Sequence, residues 1–139
     1  MMMKNKMKKE SFSKTTALIV IILTTLSCKS NLDQQFTLEN DKLIEEWKSE
    51  NKKFIKENSE KLTDSLMLKA LDSIVIEYTI NKNKTLAVKF IESKMGVKRL
   101  NFLKKNFNKE EIKVLLNKVP ESIKTDTNYI ALQKYISSE

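Results

Sequence analysis

One thiol and a few neighbouring carboxylates are the residues whose types and spacing first suggest covalent or acid–base chemistry in this chain. Cys28 is the only cysteine. Without a second one, an intramolecular disulfide and a Cys-x-x-Cys pair are both excluded, so the thiol is either acylated or free. Histidine is absent from the 139 residues, as are the common metal-ligand spacings and the glycine-rich loops that cradle phosphates. Paired carboxylates could still share acid–base work. The candidates, Glu45 with Glu46 and Glu110 with Glu111, are adjacent in sequence, and neighbours on a helix point about 100° apart rather than toward each other. Glu110 and Glu111 read instead as first-turn charges that favour a helix N-terminus. No catalytic residue, no metal site and no cofactor is expected.

The residues around Cys28 say more than the thiol itself. Lys4, Lys6, Lys8, Lys9 and Lys14 precede an uncharged stretch that ends at Cys28, with the apolar heart from Ala17 to Leu23. The fourteen residues between Lys14 and Lys29 fall short of the about 20 that a spanning helix needs, and suit the apolar region of a cleavable secretion signal. The lysines would stay on the cytoplasmic side while the apolar core inserts. Leu26-Ser27-Cys28 resembles the lipobox of bacterial lipoproteins, in which a small residue precedes a cysteine that receives diacylglycerol. Thr25 departs from that pattern, standing where leucine is usual, with Leu23 and Leu26 flanking it. The resemblance implies cleavage after Ser27 and acylation of Cys28 by diacylglycerol and a further chain such as palmitate. Several acyl chains hold a protein on a membrane more firmly than one can. The segment after Cys28, Lys29-Ser30-Asn31-Leu32-Asp33, lacks an acidic cluster, which favours an envelope protein facing the periplasm.

Residues 1–27 form the expected signal, residues 28–35 the lipidated cysteine and a polar tether, and residues 36–139 one helical domain. The formal net charge of +8 falls to +4 once the signal, with five lysines and Glu10, is set aside. That modest excess and the compartment argue against nucleic acid as a partner. The mature 112 residues suit a single domain. One glycine and one proline, Gly96 and Pro120, are too few for the tight turns of a sheet protein. The expected fold is therefore all-α, a small bundle of about five or six short helices.

Apolar spacing marks those helices. Leu43, Ile44, Trp47, Phe54 and Ile55 form a first stripe, with Glu45–Lys48 and Glu50–Lys53 as supporting ion pairs. Ser59 is read as the cap of a second helix reaching about Ile80 through Leu62, Leu66, Met67, Leu68, Leu71, Ile74, Val75 and Tyr78. The β-branched run from Ile74 to Ile80 also fits a strand; helix is preferred because no partner strand is offered. Asn81–Lys84 reads as a polar turn. A third helix is expected over Thr85–Met95, ended by Gly96 as a left-handed cap. Val97, Leu100, Leu103 and Phe107 mark a fourth. Asn108 with Glu111 forms a capping-box start for a fifth, which Pro120 closes. The last begins near Asp126 or Thr127 and carries Tyr129, Ile130, Leu132, Gln133 and Ile136.

Trp47, Tyr78, Tyr129 and Tyr135 lie on apolar stripes and read as core rather than ligand platforms. Lys98, Arg99, Lys104, Lys105, Lys109 and Lys113 make the region of the fourth and fifth helices a possible basic surface, with Glu92, Glu110 and Glu111 diluting it. Against anionic headgroups such lysines would each contribute about 1 kcal/mol; otherwise they form a solvated face.

The run Leu71-Asp72-Ser73-Ile74, then Tyr78-Thr79-Ile80-Asn81-Lys82-Asn83-Lys84, Leu86-Ala87 and Phe90, resembles the helical segment that precedes the thioredoxin domain in TlpA-like thiol-disulfide lipoproteins. Phe107-Asn108-Lys109-Glu110-Glu111-Ile112-Lys113, Leu116, Val119-Pro120-Glu121-Ser122-Ile123-Lys124, Tyr129, Leu132 and Tyr135-Ile136 continue the likeness, over about residues 60–137. The redox work of that family belongs to a Cys-x-x-Cys in the following domain, which this chain lacks, so no catalytic residue carries over. The sequence ends at Glu139, about where such a domain would begin. Three functions are thus expected in order: a membrane-anchored, non-catalytic helical module that binds a protein partner; a helical accessory or remnant of a thiol-disulfide oxidoreductase; and a basic module that binds membrane surfaces.

Overall fold

The structure is a computed structural model that describes the backbone of residues 11–138 and the side chains of residues 32–138. Six α-helices follow one another: α1 (Ser11–Asn58), α2 (Asp64–Ile76), α3 (Lys82–Lys89), α4 (Lys94–Phe102), α5 (Lys109–Leu116) and α6 (Thr127–Ser137). Among the described residues there is no strand, and the class is all-α, as the scarcity of turn residues required.

The folded unit begins at Leu32, earlier than the boundary at Phe36 drawn from the sequence. Residues 32–35, expected as part of a polar tether, are helical. Leu32 packs on a small cluster of Phe36, Leu86 and Phe90 with Met95, and the Asp33 carboxylate accepts the Met95 backbone N–H at 2.9 Å. Phe36 and Phe90 meet edge to face, with ring centroids 5.7 Å apart at 79°, an arrangement worth about 0.5–1.5 kcal/mol beyond area burial.

The main core lies among α3–α6. Val97 and Leu100 of α4, Ile112 and Leu116 of α5, and Leu132 of α6 are essentially solvent-free, joined by Leu103, Phe107, Leu115, Val119 and Ile123 from helices and short 3₁₀ turns. α4, α5 and α6 each have a chemically defined start. Asn108 Oδ1 accepts the Glu111 N–H at 2.7 Å while Glu111 returns a carboxylate oxygen to the Asn108 N–H at 2.9 Å, the capping box read from the sequence. Asp126 caps α6 by accepting from the Asn128 N–H at 2.8 Å.

Gly96 plays another part than the one expected. It lies in the first turn of α4, where Ser93 is the cap and its hydroxyl accepts the Gly96 N–H at 3.0 Å. A Cβ at Gly96 would stand 1.8 Å from the Phe90 carbonyl oxygen. Glycine is there for the close approach of α4 to the end of α3 and not for a left-handed backbone.

Other boundaries differ too. α1 runs through to Asn58, so Ser59 belongs to the turn after it, and α2 starts from Thr63 in extended backbone, with Asp64 in its first turn. The expected turn at Asn81–Lys84 is helical. α2 passes through a π-helical turn, Glu77–Asn81, directly into α3, and the preference for helix over strand at Ile74–Ile80 holds.

Candidate functional surfaces

The turn after Asn58 sends α2 back alongside α1 far enough for Tyr78 to reach Glu50, forming an arm. Its inner faces are only half buried: Trp47, Asn51, Phe54 and Asn58 on α1; Met67, Ala70, Leu71 and Ile74 on α2. α2 contains no fully buried residue. Leu66, Leu68, Val75 and Ile76 are 51%, 63%, 38% and 51% exposed. Ile44 and Ile55, assigned to the inward stripe from sequence, are also exposed. The stripe is narrower than the apolar spacing implied. Trp47 is half buried as a packing residue, with its Nε1, like Asn51 Oδ1, enclosed and without a hydrogen-bond partner.

Polar contacts join the arm to the bundle. The Tyr78 hydroxyl donates to Glu50 Oε2 at 2.5 Å, and that bond holds the phenol above its ordinary value of 10.0. Lys82 stands 3.9 Å over the Tyr78 ring, and its Nζ lies 3.7 Å from Glu46. The expected Glu45–Lys48 pair forms at 2.8 Å. Glu50 turns to Tyr78 in place of Lys53, since the buried phenol is the better-positioned partner. A groove of about 480 Å³ between α1 and α3 is lined by Glu39, Lys42, Leu43, Glu46, Lys82 and Lys89. Its charges neutralise one another through Lys89–Glu39 at 2.5 Å and Lys82–Glu46, so it is an ion-paired seam.

The basic residues divide into four groups. Arg99 is structural. Its guanidinium donates to Asn83 Oδ1 and, at 2.7 Å, to Asn40 Oδ1, and lies 5.5 Å over the Phe36 ring. Burial lowers its pKa from the ordinary arginine range, although arginine stays protonated in proteins. Asn83 in turn donates to the Tyr78 carbonyl at 2.6 Å, so one network ties α1, the π turn, α3 and α4. Lys104 and Lys109 fold over Tyr135, at 5.4 and 5.8 Å; Lys109 also donates to the Ser138 carbonyl. Lys113 pairs with Glu110 at 4.0 Å. Lys98 and Lys105 remain exposed, with Phe102 between them in sequence and 81% exposed. The expected surface of six residues is therefore not one face.

Glu110 and Glu111 sit in the first turn of α5 as capping and dipole charges. Among the described residues no cluster of His, Cys, Asp or Glu has metal-holding geometry, and no helix is long and apolar enough to cross a membrane. The side chains of Leu26, Ser27 and Cys28 lie outside the described residues. Comparison with protein-family models, curated proteins and solved structures gave no match.

Proposed function

We propose that this is an envelope lipoprotein, held to a membrane through acylated Cys28 and facing the periplasm, whose helical domain is a non-enzymatic module that binds a protein partner through the arm. The observation that carries the reading is the exposure of α2. A helix with apolar residues on several faces, none of them fully buried, is a surface suited to another protein. The separate polar staple at Tyr78 and Glu50 holds that surface in place without covering it.

Two measurements test it. Cells fed a clickable palmitate analogue should label the protein, and Cys28→Ala should abolish the label; equal labelling of both forms removes the anchor. A photo-cross-linking amino acid in place of Leu68 should give a discrete adduct in living cells, and one in place of exposed Lys118 should not. Absence of an adduct at Leu66, Leu68 and Val75 alike would sink the partner reading. A thioredoxin-like protein in the adduct would specify the partner as a redox enzyme, uniting it with the accessory role that the resemblance implies.

A further inference from the structure

We propose that Phe102, with Lys98 on the same helix face and Lys105 three residues on in the sequence, rests in the headgroup layer of an anionic phospholipid membrane. Phe102 is the last residue of α4 and, at 81%, is more exposed than Leu68 or Leu38. Lys98 stands four residues before it, on the same helix face. At its foot a hollow of about 320 Å³ is lined by Phe36, Met95, Lys98 and Arg99. An aromatic ring on an exposed helix end with cations beside it is the arrangement that buries its apolar part at the headgroup boundary.

Charge favours lipid as the occupant. From Ser93 to Lys109 the sequence has no acidic residue and six cations. Asp33 lies at the opposite, N-terminal end of α4, where its carboxylate accepts the Met95 N–H. Of the cations, Lys98 and Lys105 are exposed and make no hydrogen bond or ion pair among the described residues, while Lys104 and Lys109 are turned onto Tyr135.

Position favours it as well, and this step rests on the lipid anchor proposed above. Leu32 packs in the cluster that includes Met95 and follows Cys28 by four residues, a stretch that reaches at most about 14 Å. Acylation would hold the face of α4 that carries Met95, Lys98 and Phe102 near the bilayer, where each lysine raises partitioning about fivefold.

The test uses the full chain, purified with its anchor, carrying Trp47→Phe and Phe102→Trp so that the single indole reports from position 102. It is reconstituted into vesicles of brominated phosphatidylcholine, with or without phosphatidylglycerol. We expect blue-shifted, bromine-quenched emission with phosphatidylglycerol, much weaker quenching without it, and about a fivefold smaller partition constant for each of Lys98→Ala and Lys105→Ala. Protein that floats with anionic vesicles while its emission stays water-like and unquenched overturns the proposal and leaves the anchor standing. Quenching by protein that floats on anionic vesicles alone sustains the proposal and removes the anchor. Protein that floats on neither overturns both.

Discussion

α2 and α5 make an instructive pair. α2, DSLMLKALDSIVI, is richer in apolar residues than α5, KEEIKVLL, yet α5 buries Ile112, Leu115 and Leu116 while α2 buries none completely. The difference is arrangement. In α5, Ile112, Leu115 and Leu116 form one buried stripe, with Glu110, Glu111, Lys113 and the exposed Val114 outside it, and that stripe belongs to the core shared with α4 and α6. In α2 they spread round the helix through Leu66, Met67, Leu68, Leu71, Ile74, Val75 and Ile76, so one neighbour covers only part. The bundle is cohesive through hydrophobic burial, whereas the arm is attached through a few polar contacts and carries apolar surface to spare. Regions of that kind open at lower free energy than the rest of a fold.

The contrast can be broken or sharpened by mutation. Leu116→Ala, which empties a fully buried site, should cost about 2–5 kcal/mol in denaturant unfolding, the largest effect here. Leu68→Ala in the arm should fall within about 0.5 kcal/mol of the parent, and equal costs for the two would erase the distinction. Tyr78→Phe removes the bond to Glu50. It should cost about 1 kcal/mol, less than a buried charged hydrogen bond because Glu50 is exposed. Hydrogen exchange should then quicken in α2 and the distal end of α1 and leave α5 unchanged.

Asp126→Ala, in the bundle, should cost about 1 kcal/mol at neutral pH as a lost helix cap. Its pH dependence has a definite sign. The Asn128 backbone N–H, and after it the Asn128 side chain, hold the Asp126 carboxyl below its ordinary value of 3.8. A group depressed on folding stabilises above its unfolded value, so the gap between parent and variant should be full above pH 3.8 and close as pH falls through the folded-state value. A gap that persisted in stronger acid would show that the cap acts without its charge.

Much of the bundle was legible in the sequence because its signals are local. The Asn108–Glu111 capping box, the Asp126 cap and the stripe of Val97, Leu100 and Leu103 each depend on residues within a few positions. Phe102 falls off that stripe, so its exposure could have been read there as well. What escaped depends on contacts distant in sequence. Gly96 was assigned a backbone role, whereas its requirement comes from the Phe90 carbonyl. Arg99 was grouped with surface lysines, yet Asn40 and Phe36, brought in by α1, draw it inward. The arm's open face was hidden for the same reason: apolar content marks what can be buried, and only the partners available decide what is.

The π turn at Glu77–Asn81 fixes which way the arm's apolar face looks. Such a turn accommodates one residue more than a regular α-turn, as if a single amino acid had been spliced into a continuous helix. Each residue advances an α-helix by about 100°, so the azimuth of Leu66, Leu68 and Val75 relative to α3 is a matter of counting rather than of side-chain chemistry. Deleting one residue there would present a different set of α2 residues to the same neighbour while leaving the bundle's core untouched.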